Sequence, residues 1–302
     1  MVNAPPSKKK RPFYRDWARG FIMARNEAKR QREIDRRRRE DAHERALPSF
    51  LIAGVQKGGT TSLFDYLAQH PSVIPPIQKE TYFTYTYHDD PDRAFRSFFP
   101  LQSELNELAK QTGGPTMTGE ATPETMFTAR TATRAHHAAP DAKIVALIRE
   151  PIARAYSHHK HNMRHKLETV ADFDRAIDLE AERTEAALAR FESDERGVFD
   201  RTLNDQTYMV RGRYAEQVER LYNLWGRDKV LVIASERFFA ETPTVYAEIL
   251  AFLGLPPHDA NLKAKNVNTY DPIKPETRER LQPTVGPWNA KLNEVLGRDI
   301  GW

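Results

Sequence analysis

The sequence contains no cysteine among its 302 residues. Disulfide bonds, thiolate catalysis and cysteine-based metal sites are therefore excluded from this chain. Long apolar runs are absent as well, since no stretch approaches the roughly eighteen apolar residues that span a bilayer, and the N-terminus has no apolar signal core. Together with a mean hydropathy of −0.69, these absences predict a cytoplasmic protein.

Excess positive charge is missing outside the N-terminal region. Residues 7–46 hold fifteen Lys or Arg against seven Asp or Glu, a net charge of +8, which leaves −4 for the rest of the chain. We therefore expect a basic arm at residues 1–46, partly helical or disordered, and one domain at residues 47–302. The domain is not expected to bind nucleic acid. The arm is either a solvated helix or a contact for an anionic membrane surface, an acidic partner or a polyanionic acceptor.

The segment around residue 57 carries the strongest functional signal. An apolar run at residues 50–55 is followed, after a glycine pair, by apolar residues at helical spacing, which predicts a strand, a tight loop and a helix. Glycines in such a loop let the backbone approach an anion, and the first N–H groups of the helix point at it. The residues expected to bind phosphate are Lys57, Gly58, Gly59, Thr60 and Thr61. The alternative is a turn that only joins the strand to its helix.

This loop differs from the loop of nucleoside-triphosphate enzymes. Their pattern ends in Gly-Lys-Ser/Thr, whereas Lys57 precedes the glycine pair and lies three residues after Gly54. A lysine at the front of the turn suits a 5′-phosphate whose substituent leaves from the lysine side. An enzyme that transfers phosphoryl groups from ATP with magnesium is the competing interpretation.

A second candidate segment begins at Lys79 and Glu80. The aromatic run that follows at residues 82–87 predicts a strand or a sheet edge, with this pair at its entry. Glu80 is a candidate general base, and the competing interpretation is a solvated surface pair.

A third candidate segment joins a buried strand to a helix. Residues 143–149 are almost continuously apolar, as in a central parallel strand, and Pro151 occupies the favoured first position of the helix that follows. Arg149 ends the strand and Ser157 lies close to two turns into the helix. We expect the two side chains to converge on one anion.

The same helix carries four histidines, at positions 158, 159, 161 and 165. His161 and His165 are spaced to share a helix face, but no glutamate follows the first histidine and no third ligand is evident. We therefore expect these histidines to line a pocket or to be solvated, and we expect no metal.

The remaining pattern indicates an α/β fold with a central parallel β-sheet flanked by helices, in a P-loop-like nucleotide-binding architecture. A third buried strand is expected at residues 229–234, and helices at residues 172–191 and 276–296. The polar segment at residues 192–206 has a length typical of loops that border a site.

Taken together, four segments resemble the sulfotransferases that use 3′-phosphoadenosine 5′-phosphosulfate, and among them the heparan-sulfate-type and related bacterial enzymes. The segments are Gly-Val-Gln-Lys-Gly-Gly-Thr-Thr-Ser-Leu at residues 54–63, Lys-Glu-Thr-Tyr-Phe at residues 79–83, Leu-Ile-Arg-Glu-Pro-Ile-Ala-Arg-Ala-Tyr-Ser at residues 147–157, and residues 288–302 at the C-terminal end. Their order and spacing match over residues 50–302.

The resemblance implies transfer of a sulfuryl group to a hydroxyl or amine. By position, residues 57–61 resemble the loop that binds the 5′-phosphosulfate, and Arg149 and Ser157 resemble the pair that binds the 3′-phosphate. Glu80 matches the glutamate proposed as the base, Lys57 would neutralise the leaving oxygen, and no metal is obligatory. Lys265 and Arg278 are further candidate contacts to the nucleotide, whose product form is adenosine 3′,5′-bisphosphate.

Two departures from the family limit what can be carried over. The heparan-modifying enzymes are membrane-anchored and have a disulfide near their later nucleotide-binding loop, whereas this chain has no cysteine and its sequence predicts no anchor. The acceptor is therefore left open as a glycan, lipid or small metabolite. The competing functions are an ATP- and magnesium-dependent phosphoryl-transfer enzyme and a non-catalytic nucleotide or polyanion binder.

Overall fold

The computed structural model describes residues 13–194, 196–263 and 270–302, with side chains from residue 25 onward. The helices are α1 (Phe13–Glu40), α2 (Thr60–Leu67), α3 (Pro91–Arg96), α4 (Gln102–Thr112), α5 (Ala129–Ala138), α6 (Pro151–His165), α7 (Phe173–Asp178), α8 (Glu180–Ser193), α9 (Arg201–Asp205), α10 (Tyr214–Trp225), α11 (Ser235–Ala240), α12 (Thr242–Leu253) and α13 (Pro275–Leu296). Short 3₁₀ turns cover Ala42–Glu44, Phe83–Tyr85, Pro123–Met126, Val210–Gly212 and Arg227–Lys229.

The sheet of the described chain is four-stranded and parallel, in the order β2-β1-β3-β4. Its strands are β1 (Phe50–Gly54), β2 (Gly119–Glu120), β3 (Lys143–Ile148) and β4 (Val230–Ala234). In the central register, Ala53 pairs with Ala146, which pairs with Val232. The predicted α/β class with a parallel sheet is therefore confirmed.

Both faces of the sheet are covered by helices. Because successive strand residues point to opposite faces, Leu51 and Ala53 pack with Val218 of α10 on one side. Ile52 packs with Leu63 of α2 and Ile249 of α12 on the other side. This double burial explains why β1 and β3 read as continuous apolar runs.

Two local predictions were wrong. The helix expected at residues 172–191 is divided into α7 and α8. The aromatic run at residues 82–87 is not a strand, because Tyr82 has a left-handed backbone (φ 52°) that turns the chain into the 3₁₀ turn Phe83–Tyr85. The strand that flanks β1 on the side opposite β3 is β2, whose two residues are too few to show a periodic pattern.

Helix α1 of the basic arm is joined to the domain at its C-terminal end. Ile34 is 1% exposed and belongs to the same apolar cluster as Phe95 and Phe99. Arg45 donates to the carbonyl of Phe99 at 2.8 Å. Residues 25–32 are exposed apart from the half-buried Arg30, and the division of the chain at residue 46 stays a prediction.

Among the described helices, none combines the length and the apolar character required to cross a membrane.

Candidate active site

The candidate site lies at the carboxyl edge of the sheet, where parallel strands end together. Strands β1, β2, β3 and β4 end there at Gly54, Glu120, Ile148 and Ala234. The segments that leave this edge carry the predicted site residues, as expected for the ligand crevice of an open α/β sheet. Lys79 joins the same edge, because its carbonyl accepts the N–H of Ala121 just after β2, at 2.9 Å.

The loop between β1 and α2 is built on close backbone approaches that only glycine permits. A Cβ on Gly54 (φ 122°) would lie 2.1 Å from the carbonyl oxygen of Leu147. A Cβ on Gly58 would lie 3.0 Å from the Val55 carbonyl and 3.1 Å from that of Leu147. Helix α2 begins at Thr60, so its first N–H groups face the loop and are available to an anion.

Lys57 lies inside this loop with a left-handed backbone (φ 71°). Its Nζ is 3.4 Å from Nδ1 of His161 on α6. Burial, together with the positive charges of Arg149 and Arg164, lowers the pKa of Lys57. Burial and the Lys57 charge lower the pKa of His161 to about 4, so His161 is neutral near pH 7 and accepts from the ammonium.

These positive charges give the site its electrostatic character. Lys57, Arg149 and Arg164 repel one another in a partly desolvated crevice, and a bound phosphate or sulfate would relieve that repulsion. The arrangement therefore favours an anionic ligand.

Lys79 connects the loop with Glu80. Its Nζ donates to Thr61 Oγ1 at 3.1 Å and to Glu80 Oε1 at 2.5 Å. The other carboxylate oxygen of Glu80 accepts from the hydroxyl of Tyr82. Lys79 and Glu80 are adjacent in the sequence, and the fold places both beside the loop between β1 and α2.

Arg149 also contacts the loop, since its guanidinium donates to the carbonyl of Lys57 at 3.2 Å. Ser157 is buried on α6, and its convergence with Arg149 on one anion stays a prediction. Arg278 forms an ion pair with Glu150 at 3.3 Å, and Glu150 caps α6 by accepting from Ile152 N and Ala153 N. Lys265 lies outside the described residues.

Several residues that support the loop were not identified from the sequence. Ser235, just after β4, donates to the carbonyls of Gly58 (2.6 Å) and Ile148 (3.0 Å). The ring of Phe239 lies against the loop, 2.9 Å from where a Cβ on Gly59 would be. The position of Ser235 directly after a buried strand is the signal that would have indicated it.

The segment at residues 192–206 borders the site through Asn204. Its Oδ1 accepts from Gln56 Nε2 of the loop at 2.9 Å and from the Tyr85 hydroxyl at 3.4 Å. The Tyr85 ring also packs against Phe199 in a tilted arrangement, with ring centroids 4.5 Å apart. The segment therefore contacts Gln56 in the loop between β1 and α2, but it is not the continuous loop that was expected, because α8 extends to Ser193 and α9 covers Arg201–Asp205.

Two histidines of α6 lie side by side. The rings of His161 and His165 lie 4.4 Å apart. Among the residues whose side chains are described (25–194, 196–263 and 270–302), no three His, Asp or Glu side chains are grouped to hold a metal ion.

Three comparisons with known proteins bear on this geometry. A family model described as the sulfotransferase domain matches residues 47–270. The crystal structure of a sulfotransferase from Alicyclobacillus acidocaldarius is similar with a TM-score of 0.64 and 29% identity, over 84% of this chain and 97% of that chain.

Among curated proteins, the membrane-associated sulfotransferase kil1 of Dictyostelium discoideum is 22% identical over 320 residues, which cover 85% of this chain and 66% of kil1. The human bifunctional heparan sulfate N-deacetylase/N-sulfotransferase 3 is 29% identical over 220 residues, which cover 70% of this chain and 23% of that protein. The chain thus corresponds to only part of either relative.

Proposed function

Because the chain belongs to the sulfotransferase domain family, its general chemistry is sulfuryl transfer, and we propose that 3′-phosphoadenosine 5′-phosphosulfate is the donor. The acceptor would be a hydroxyl or amine, attacked in line with the departing nucleotide. The observation that carries the proposal is the bridge from Thr61 through Lys79 to Glu80. This bridge holds the Glu80 carboxylate beside the loop that would bind the donor. A base that activates the acceptor must lie next to the bound donor.

The proposed reaction uses two groups of the site. Glu80 takes the proton of the acceptor while the acceptor oxygen or nitrogen bonds to sulfur. The bond between sulfur and the bridging oxygen of the 5′-phosphate breaks, and its electron pair stays on that phosphate. Lys57, on the loop, neutralises the developing negative charge.

The remaining contacts are assigned to nucleotide binding. Residues 57–61 would hold the 5′-phosphosulfate, and Arg149 with Ser157 the 3′-phosphate. Arg149 already donates to the Lys57 carbonyl, so one side chain would join the two anion sites. Lys265 remains a candidate contact on sequence grounds alone.

Phosphoryl transfer from ATP is the competing function, and the loop argues against it. The lysine precedes the glycine pair instead of following it, and its ammonium contacts His161. A triphosphate loop needs its lysine at the start of the helix, where it reaches the terminal phosphates.

Calorimetric titration without magnesium tests the donor class. We expect adenosine 3′,5′-bisphosphate to bind tightly and ATP weakly, with little change when magnesium is added. Tight ATP binding that requires magnesium would overturn the proposal. If the chain binds the bisphosphate but forms none from the phosphosulfate donor in a turnover assay, it is the non-catalytic binder instead.

Transfer of a radiolabelled sulfuryl group from the donor to separated glycan, lipid and small-metabolite pools identifies the acceptor class. The acceptor of the human bifunctional enzyme is one candidate among the glycans. It is only one candidate, because the chain corresponds to only 23% of that enzyme. Label in one pool, lost when Glu80→Gln replaces the native chain, would assign the acceptor.

A further inference from the structure

The segment that carries Glu80 contains an unfavourable backbone turn. Tyr82 adopts φ 52° and ψ 18°, the left-handed region that residues with a Cβ rarely occupy. Its hydroxyl donates to Glu80 Oε2, so the turn aims the phenol at the proposed base. Such a conformation persists only where surrounding contacts determine it.

Those contacts lead to Glu120, the last residue of β2. The N–H of Phe83 donates to Thr81 Oγ1 at 3.3 Å, across the turn at Tyr82. The hydroxyl and the N–H of Thr81 both donate to Glu120 Oε2, each at 3.4 Å. The N–H of Ala121, the residue after Glu120, donates to the Lys79 carbonyl at 2.9 Å. The end of β2 therefore holds the Glu80 segment on both sides.

Burial of Glu120 is energetically unfavourable for a purely structural contact, because an ionised carboxylate loses its hydration there. It is 3% exposed, and its hydrogen bonds go to the hydroxyls of Thr81 and Thr122 and to the Thr81 N–H. Burial raises its pKa to about 7, with the negative charge of Glu80 adding to the effect. A glutamine of the same shape would avoid burying a charge, but its amide oxygen would accept the hydrogen bonds of Thr81 and Thr122 more weakly than the carboxylate does.

We propose that Glu120 is a positioning residue for sulfuryl transfer, which acts through Thr81 to hold the turn at Tyr82 and thereby the carboxylate of Glu80. The inference rests on the proposed role of Glu80 as base. A carboxylate accepts more strongly than an amide, so the loss of charge at Glu120 loosens the turn while the fold remains.

The experiment compares Glu120→Gln with a matched control elsewhere in the chain. Glu180→Gln is that control, because Glu180 is also buried and accepts two backbone N–H groups, from Met209 and Val210. Burial raises the pKa of Glu180 as well. Thr81→Val and Thr81→Ser test the intermediate link, since only serine keeps the hydroxyl.

Each variant is assayed as the full chain with the phosphosulfate donor and three probe acceptors, namely 4-nitrophenol, glucosamine and water. Turnover at saturating donor, calorimetric affinity for adenosine 3′,5′-bisphosphate and the denaturant midpoint at pH 8 are measured in parallel. We expect Glu120→Gln to lower turnover about tenfold or more while nucleotide affinity stays within about twofold and the midpoint does not fall. Thr81→Val should behave likewise, and Thr81→Ser should approach the native turnover.

The outcomes separate this inference from the proposed function. Native turnover in Glu120→Gln or in Thr81→Val would overturn the inference alone. An equal turnover loss in Glu180→Gln would overturn it too, because general loosening of the fold would then explain the effect. Tight, magnesium-dependent binding of ATP in place of the bisphosphate would overturn the proposed function and this inference with it.

Discussion

The ammonium of Lys79 lies 2.5 Å from the carboxylate of Glu80. The same ammonium donates to Thr61 at the start of α2, at 3.1 Å. Charge-assisted contacts of this kind are short and directional, so Lys79 fixes the distance between the proposed base and the anion-binding loop. Lys79 and Glu80 are neighbours in the sequence, but only the fold brings Thr61 to the Lys79 ammonium that also binds Glu80.

Glu80→Gln should abolish most turnover and leave nucleotide binding intact. The amide keeps the size of the side chain but cannot take a proton, and positioned acid–base groups contribute about 10²–10⁴-fold in rate. Turnover with the probe acceptors and calorimetric affinity for adenosine 3′,5′-bisphosphate provide the measurement. Unchanged turnover would remove Glu80 as the base.

Gly58→Ala should weaken nucleotide binding strongly, because its Cβ would lie 3.0 Å from the Val55 carbonyl and 3.1 Å from that of Leu147. The Leu147 carbonyl belongs to β3 and the Val55 carbonyl to the loop itself, so the backbone must shift by a few tenths of an ångström to admit the methyl group, which displaces the loop. Gly114→Ala is the control, since a Cβ there would meet nothing within 4 Å. Comparable bisphosphate affinities for the two variants would show that the loop does not bind the nucleotide.

Arg149→Ala should discriminate between nucleotides with and without a 3′-phosphate. Loss of the contact to the Lys57 carbonyl should weaken all nucleotides somewhat, and a lost charged contact to the 3′-phosphate should cost the bisphosphate about 1.5–3 kcal/mol more. Titration with adenosine 3′,5′-bisphosphate and with adenosine 5′-monophosphate gives the ratio. An equal loss for both ligands would place the role of Arg149 at the loop alone.

Folding stability should fall as the pH rises through the range set by Glu120. The pKa of this carboxyl is about 7 in the folded chain against an ordinary 4.5, so between these values the folded chain holds a proton that the unfolded chain has lost. The stabilisation is complete below pH 4.5 and is lost as the pH passes 7, a total of about 3 kcal/mol. Denaturant unfolding between pH 4.5 and 8 should show this slope in the native chain and a flatter curve in Glu120→Gln. Parallel curves would contradict the assignment.

Removal of residues 1–24 should leave nucleotide affinity unchanged and weaken binding to anionic vesicles. These residues carry six Lys or Arg and one Asp, and the truncation keeps Ile34 and Arg45, which are buried against the domain. Sedimentation with vesicles containing phosphatidylserine at low and high salt measures the charge-dependent part. If the native and shortened chains bind the vesicles equally, the arm does not contact an anionic surface through these charges.

The sequence by itself predicted three of the four strands and the loop that is proposed to bind the nucleotide. Buried parallel strands appear as continuous apolar runs, so β1, β3 and β4 were found within a residue or two of their ends. The loop at residues 57–61 was found because glycines and hydroxyl residues interrupt the change from strand to helix periodicity. Local patterns of this kind depend only on neighbours along the chain.

Tertiary structure decided which residues reach that loop. The edge strand beside β1 is the two-residue β2, and the aromatic run after Glu80 turns away at Tyr82. The contacts from His161, Ser235 and Asn204 to the loop cross 104, 177 and 148 residues respectively. The sequence determined the parallel strands and the glycine-containing loop that follows β1. Folding determined the surroundings of Glu80, because the ends of the parallel strands bring together side chains that no local pattern connects.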